Sequence, residues 1–129
     1  MPVTAERITQ PSEQDLIDLS KTYEGNIDWL QALLESQDML VGGRFNDRLV
    51  AAFVLRDQKN HWSLEKLQVR EITRRRVVAR QTIHSALQIL DLHQPVSADL
   101  SAHPELCELF ESLGFHMQAC SERVMQWQP

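Results

Sequence analysis

Four arginines, Arg70, Arg74, Arg75 and Arg76, fall within seven residues of this chain, and Arg80 follows about one helical turn later. An apolar, β-favouring run ends just before them at Val69, and an apolar helical period begins near Val78. The order is strand, basic turn, helix. The first N–H groups of a helix have no intrahelical partner and carry positive partial charge, so a strand emptying into such a turn is a sensible cradle for a phosphate. A solvated basic turn would have the same local sequence. Other chemistry is sparse. Glu65, on the strand before the turn, is a candidate general base, directly or through water. No second carboxylate sits beside it to raise its pKa, and a solvated or salt-bridged strand carboxylate is the competing reading. Cys107 and Cys120 lack an identifiable histidine partner that would make either a nucleophile. His103 and Cys107 share a helical face at i, i+4, but zinc needs three or four ligands and no second pair with ligand spacing occurs, so no metal site is expected.

The whole chain narrows the choice. At 129 residues it is expected to form one domain over residues 1–129, with a real core and no room for a separate regulatory domain. No apolar run approaches the roughly 20 residues of a membrane span, and Met1 to Glu6 lacks the basic-then-apolar order of an export signal. A cytoplasmic protein with free thiols is the expectation. The net charge of -5 argues against a surface that wraps nucleic acid, and the aromatic residues are not interleaved with the arginines. A local cationic patch on an acidic protein suits a compact anionic ligand, or an acidic patch on a partner. The acidity and the lack of an obvious exposed apolar stripe predict a monomer.

Which elements hold these residues? Residues 3–9 alternate weakly and read as a strand closed by Pro11. Ser12 and Asp15 resemble a capping box for a first helix that ends at Gly25, and Asn26 would cap a second over 27–36. Residues 39–45 and the nearly all-apolar 49–55 predict an antiparallel hairpin around Asn46-Asp47, with 49–55 buried on both faces. Residues 62–69 form the third strand of this meander. Its apolar period slips between Leu64 and Leu67, which predicts a β-bulge near Glu65-Lys66. Ala79, Ile83, Ala86, Leu87 and Leu90 mark an amphipathic helix ending before Pro95. A strand over 95–100 follows, then a helix opened by His103-Pro104-Glu105, buried through Leu106, Leu109, Phe110 and Leu113, and stopped by Gly114. Strands over 115–120 and 123–127, turning at Ser121-Glu122, complete the chain. The fold class is α/β (α+β), a central mixed, mostly antiparallel sheet flanked by helices.

This order, with its strand emptying into a basic turn, resembles the GCN5-related N-acetyltransferase (GNAT) fold over nearly the whole chain. That family's signature is Arg or Gln, two residues, Gly, one residue, then Gly or Ala. Residues Arg74 to Ala79 fit every constrained position except that Val77 stands where the first glycine is usual. The hairpin from Arg44 to Ala52 and the stretch from Val69 to Arg76 are more narrowly similar to the PanM (also called PanZ) family. The resemblance implies a protein that binds coenzyme A or acetyl-coenzyme A and promotes self-cleavage of the aspartate 1-decarboxylase precursor, regulating β-alanine supply for pantothenate. It implies Leu67, Gln68, Val69, Thr73, Arg74, Arg75, Arg76, Val77, Val78, Ala79 and Arg80 as coenzyme residues, and Arg44, Asn46 and Arg74 as partner-binding ones. Bottom-up, Asn46 is equally explained by the turn it sits in, and Arg44 and Arg48 by exposed strand ends. A catalytic N-acetyltransferase of a small amine or peptide is the alternative. Its usual thiolate-protonating tyrosine would stand four residues before Gly114, where this chain has Phe110. Glycine at position 77 would permit backbone angles that a β-branched valine resists, so a weakened coenzyme site is expected.

Overall fold

The computed structural model describes residues 3–70, 75–118 and 121–129. Strand β1 (Thr4–Ile8) is followed by helices α1 (Glu13–Thr22) and α2 (Leu30–Leu34), then by strands β2 (Met39–Phe45), β3 (Arg48–Asp57) and β4 (Trp62–Val69). Helix α3 (Arg75–Ile89) leads to β5 (Val96–Asp99), a 3-10 turn (Pro104–Leu106), α4 (Cys107–Ser112), β6 (His116–Gln118) and β7 (Ser121–Trp127). One seven-stranded sheet has the order β1-β2-β3-β4-β5-β7-β6, antiparallel except where β4 meets β5. This is the mixed sheet flanked by helices that the sequence predicts. Among the described residues no helix is long and apolar enough to cross a membrane.

Two irregularities set the facing of the sheet. In β3 the register shifts so that Gly43 pairs Ala51 but Arg44 pairs Leu49, leaving Val50 as an extra residue. The shift puts Leu49, Ala52 and Val54 in a small core under α1 and α2, and Ala51, Phe53 and Leu55 in the large core under α3 and α4. The predicted β4 bulge is present: Ala52 pairs Gln68 while Val54 pairs Glu65, and Lys66 adopts a φ of 57°. Trp62 and Leu64 before the bulge, and Leu67 and Val69 after it, therefore face the same large core. The β2–β3 turn also has the predicted geometry, with Asn46 and Asp47 at φ 50° and 65°.

Helix α1 starts from a true capping box, Asp15 N–H to Ser12 Oγ at 3.1 Å and Ser12 N–H to Asp15 Oδ2 at 3.2 Å. Its facing is unexpected. Asp15, Asp18, Leu19 and Thr22 point inward, whereas Leu16 and Ile17 are exposed. The carboxylates are turned in because three arginines meet them there. Arg44 donates to Asp15 at 3.1 Å, while Arg48 and Arg70 donate to the fully buried Asp18 at 2.7 and 3.0 Å. The Arg48 hydrogen bond, opposed by burial and helped by Gln14 and the Leu49 N–H, holds the Asp18 carboxyl down at about 2 against an ordinary 3.8. A depressed carboxylate pKa stabilises the fold above the unfolded-state value, and that stabilisation is lost as pH falls through the folded one. Between about pH 4 and pH 2 the protein is expected to lose about 1–2 kcal/mol through Asp18, after discounting for solvent around the arginines. Urea titrations across that range check it, with Asp18→Asn flattening the acid limb.

Three element boundaries depart from expectation. Helix α2 begins at Leu30 rather than residue 27, because the Leu30 N–H goes to Ile27 and the Asn26 carbonyl is taken by the Trp29 indole at 2.8 Å. The described part of helix α3 begins at Arg75, so Arg75, Arg76 and Val77 are already helical, ahead of the apolar period near Val78. The closing hairpin turns earlier than 121–122, since β7 already begins at Ser121; Cys120 lies outside the described residues.

Candidate functional site

Strands β4 and β5 are paired only from Trp62–Val96 to Leu64–Ala98, and beyond that they part. The parting leaves a cleft of about 550 Å³ whose lining includes Glu65, Leu67, Gln68, Ser101, His103 and Phe110. It continues into a second hollow of about 200 Å³ between Leu67, Val69, Arg75, Arg76, Ala79 and Leu106. The two share Leu67, Gln68, His103 and Leu106, and together make one trough from the sheet to the start of α3.

Backbone alternation decides what β4 offers this trough. The Arg70 N–H donates to the Val50 carbonyl at 2.8 Å, so the peptide groups of Val69 and Leu67, one and three residues earlier, turn the other way. They face the gap that β5 has left. An extended chain with amide groups can complete that edge as an added strand. Val69 and Ala79 are buried, Leu67 is half-buried and Gln68 is exposed.

At the far end of the trough stands the first turn of α3. Arg75 and Arg76 are exposed there, and Arg76 reaches across to the Glu105 carbonyl at 3.3 Å. Arg80, one turn on, donates to Ser112 Oγ at 3.1 Å. Val78 is fully buried beneath them. Positive helix-end charge and two guanidinium groups combine to favour a polyanion. Thr73 and Arg74, the remaining coenzyme candidates, lie outside the described residues. Val77 is helical and 43% exposed, and its φ is not positive, so valine at this position carries no backbone strain of the kind glycine would relieve.

Proton-transfer groups in the trough are few. Glu65 Oε1 accepts from Arg56 Nε at 3.0 Å, and Oε2 from Ser63 at 3.3 Å. This is the salt-bridged state of a strand carboxylate. Phe110 is buried edge-on against Phe115, ring centroids 5.0 Å apart, and presents no hydroxyl. Tyr23, the chain's one tyrosine, donates its hydroxyl to the Lys66 carbonyl at the bulge, 2.7 Å away, and burial raises its phenol far above the ordinary value. Among the described residues no group of His, Cys, Asp and Glu could hold a metal ion.

The hairpin tip is a separate surface. Asn46 is exposed, whereas the Arg44 guanidinium is occupied by Glu6, Asp15 and the Asp47 carbonyl. The Glu6 and Asp15 hydrogen bonds raise the Arg44 pKa and hold the guanidinium in place, and Arg44 and Asn46 line one surface hollow. The trough wall contributed by Ser101, His103 and Leu106 was not legible from sequence as part of a site. Its one local signal is the His103-Pro104 helix start.

The acetyltransferase (GNAT) domain family PanZ matches residues 2–126. The chain belongs to the PanZ family. This PanZ-family chain is 35% identical over 89 residues, 68% of each chain, to the PanD regulatory factor of Escherichia coli K12. Its fold is similar to the solution structure of E. coli YhhK bound to coenzyme A, with a TM-score of 0.71, 27% identity and full coverage of both chains. A GNAT family acetyltransferase from Elizabethkingia anophelis with acetyl-coenzyme A bound matches at a TM-score of 0.68 and 10% identity over 98% of each chain, a likeness of fold alone.

Proposed function

We propose that this chain binds coenzyme A or acetyl-coenzyme A in the trough and, so loaded, regulates aspartate 1-decarboxylase (PanD) by promoting self-cleavage of its precursor. The observation that carries the reading is the unpaired β4 edge at Leu67 and Val69, running directly to the arginine-bearing first turn of α3. Arg75, Arg76 and the first-turn N–H groups would hold the pyrophosphate, and the Leu67 and Val69 peptide groups would pair with the pantetheine amides. The trough ends among Glu65, Lys66 and Phe110. With Glu65 paired to Arg56 and Phe110 lacking a hydroxyl to give up a proton, binding is better provided for than transfer. The name of the E. coli relative supports the partner, and the coenzyme bound in YhhK supports the ligand. The exposed Asn46 and the fixed Arg44 form the partner-facing tip, and Arg74 is the third residue assigned to partner binding. In this reading the chain acts as a single cytoplasmic domain, monomeric until it meets its partner.

Purified protein is expected to accelerate cleavage of the decarboxylase precursor only when coenzyme A or its acetyl ester is present. Transfer of acetyl groups to a panel of amines at ordinary turnover, with no effect on the precursor, would establish the catalytic alternative instead. Val77→Gly refines the ligand site. Because Val77 is already helical, glycine relieves no strain; it removes a side chain from the phosphate approach and weakens the helix by about 0.5–1 kcal/mol. Calorimetry is expected to give coenzyme A binding about 2–5-fold tighter, a change of about 0.4–1 kcal/mol. Unchanged or weaker binding means that the isopropyl group already fits.

A further inference from the structure

Asp18 is fully buried and takes five hydrogen bonds. Oδ1 accepts from Arg48 Nη2 at 2.7 Å, Arg70 Nη1 at 3.0 Å and Gln14 Nε2 at 3.1 Å. Oδ2 accepts from Arg48 Nε at 3.0 Å and from the Leu49 N–H at 3.2 Å. The donors come from α1, from the first two residues of β3 and from the residue that follows β4. A carboxylate has about four lone-pair sites, so all of its acceptor capacity is used and a shift in one donor is felt by the others.

The donors also connect two distant pieces of function. Arg48 and Leu49 immediately follow the Asn46-Asp47 tip, and Arg70 lies one residue beyond Val69 of the trough edge. The backbones meet there as well, through the Arg70 N–H to the Val50 carbonyl at the β3 bulge. Around Asp18 the small core is apolar, built from Leu19, Leu30, Leu33, Leu40, Leu49 and Val54. An apolar side chain would fill that place without the desolvation of a carboxylate, so stability alone is a weak reason for an aspartate.

We propose that Asp18 is the positioning residue that couples the trough to the hairpin, so that coenzyme held at the exit of β4 alters the orientation of the partner-facing tip through Arg70, Asp18, Arg48 and the Leu49 N–H. The proposal rests on the functional reading above for its two ligands. By linkage, coenzyme changes partner affinity by the same factor as partner changes coenzyme affinity, and a factor of roughly 5–150 is usual for such coupling.

The test has two arms. In the first, coenzyme A is titrated into nitrogen-15-labelled wild type, Arg70→Gln and Asp18→Asn while the backbone amides of Asn46, Asp47, Arg48 and Leu49 are followed. These amides are expected to move in wild type and to move by less than about a third as much in Arg70→Gln, while coenzyme affinity stays within about threefold. Arg70 is half-buried and its loss leaves the core intact, so this variant decides the matter even if Asp18→Asn does not fold. In the second arm, precursor binding is measured with and without saturating coenzyme A. The wild-type ratio is expected to exceed about 5, and that of Arg70→Gln to fall below about 2. Hairpin amides that stay still in wild type, or that move equally in both proteins, overturn the coupling. Failure of the precursor to bind wild type at all removes the partner reading, and the amide arm still decides this one. A chain that binds no coenzyme A overturns both.

Discussion

Gly43→Ala is expected to destabilise the protein by about 2–3 kcal/mol, far more than one methyl group usually costs, because there is no space for a Cβ where β2 passes under α3. A Cβ built at Gly43 would stand 2.4 Å from Thr82 Oγ1 and 3.0 Å from both Thr82 Cγ2 and Val3 Cγ1. Thr82 is fully buried and cannot swing aside cheaply, since its hydroxyl donates to the Val78 carbonyl at 2.8 Å. The helix must lift. Gly42 is the control one residue away. A Cβ there meets Leu49 Cδ2 at 2.7 Å and Ile8 at 3.3 Å, both ends of flexible side chains on the other face, so Gly42→Ala is expected to cost about 1 kcal/mol. Urea unfolding of the two variants measures the difference. Thr82→Ala should recover part of the Gly43→Ala loss in a double-mutant cycle, and equal losses at positions 42 and 43 would refute the close-approach account. Since α3 carries Arg75 and Arg76, the same substitution is also expected to weaken coenzyme A binding.

Local patterns in the chain translated well wherever short-range physics decides the outcome. Asn46-Asp47 tolerate the positive φ that a two-residue hairpin requires, and Ser12 with Asp15 closes a capping box within one turn of helix. The slip between Leu64 and Leu67 gave away the β4 bulge, because two residues must oppose one for both to face the same core. The arginine run pointed correctly at the start of α3. It did not fix where the helix begins: Arg75 and Arg76 are good helix formers, but the apolar period that locates a helix says nothing about an exposed first turn.

What stayed hidden depended on partners far away in the chain. An apolar reading of α1 favours Leu16 and hides the aspartates, yet Asp18 is drawn inward by arginines 30 and 52 residues distant. The trough wall at Ser101, His103 and Leu106 exists because β5 leaves β4 after three pairs, and β7 inserts between β5 and β6. No spacing within a single segment encodes either event. Phe110 was legible as the missing hydroxyl, and its edge-on contact with Phe115 is local, set where the Phe115 N–H returns to the Phe110 carbonyl past Gly114 at φ 95°.

Reversing both arginines, Arg75→Glu with Arg76→Glu, is expected to weaken coenzyme A binding by 100-fold or more while leaving the fold as stable as before, or slightly more so. The two halves of that expectation come from one field. A guanidinium about 7 Å from a phosphate charge, at an effective dielectric of about 40, interacts by about 1.2 kcal/mol. Reversal swings each site by about twice that, so the pair removes roughly 4–5 kcal/mol before solvent and salt reduce it. The folded protein feels the opposite sign. Both side chains are exposed in the first turn of α3, where a carboxylate complements the helix dipole by about 0.3–1 kcal/mol. Among the described residues, the exposed Arg76 hydrogen bond to the Glu105 carbonyl at 3.3 Å and the attraction between Arg76 and the Glu105 carboxylate are set against this gain. Binding and folding therefore move in different directions, which a general structural lesion cannot imitate. Arg7→Glu, on the exposed side of β1, changes the net charge by the same amount per site and should leave affinity within about twofold. Calorimetry at two salt concentrations, beside thermal unfolding of each variant, measures all of these terms. Raising the salt should narrow the gap between wild type and the double variant, because screening removes the phosphate contribution that only wild type possesses. If the double variant binds coenzyme A as tightly as wild type, the first turn of α3 is a solvated basic surface, and the trough must hold its ligand through the β4 edge alone.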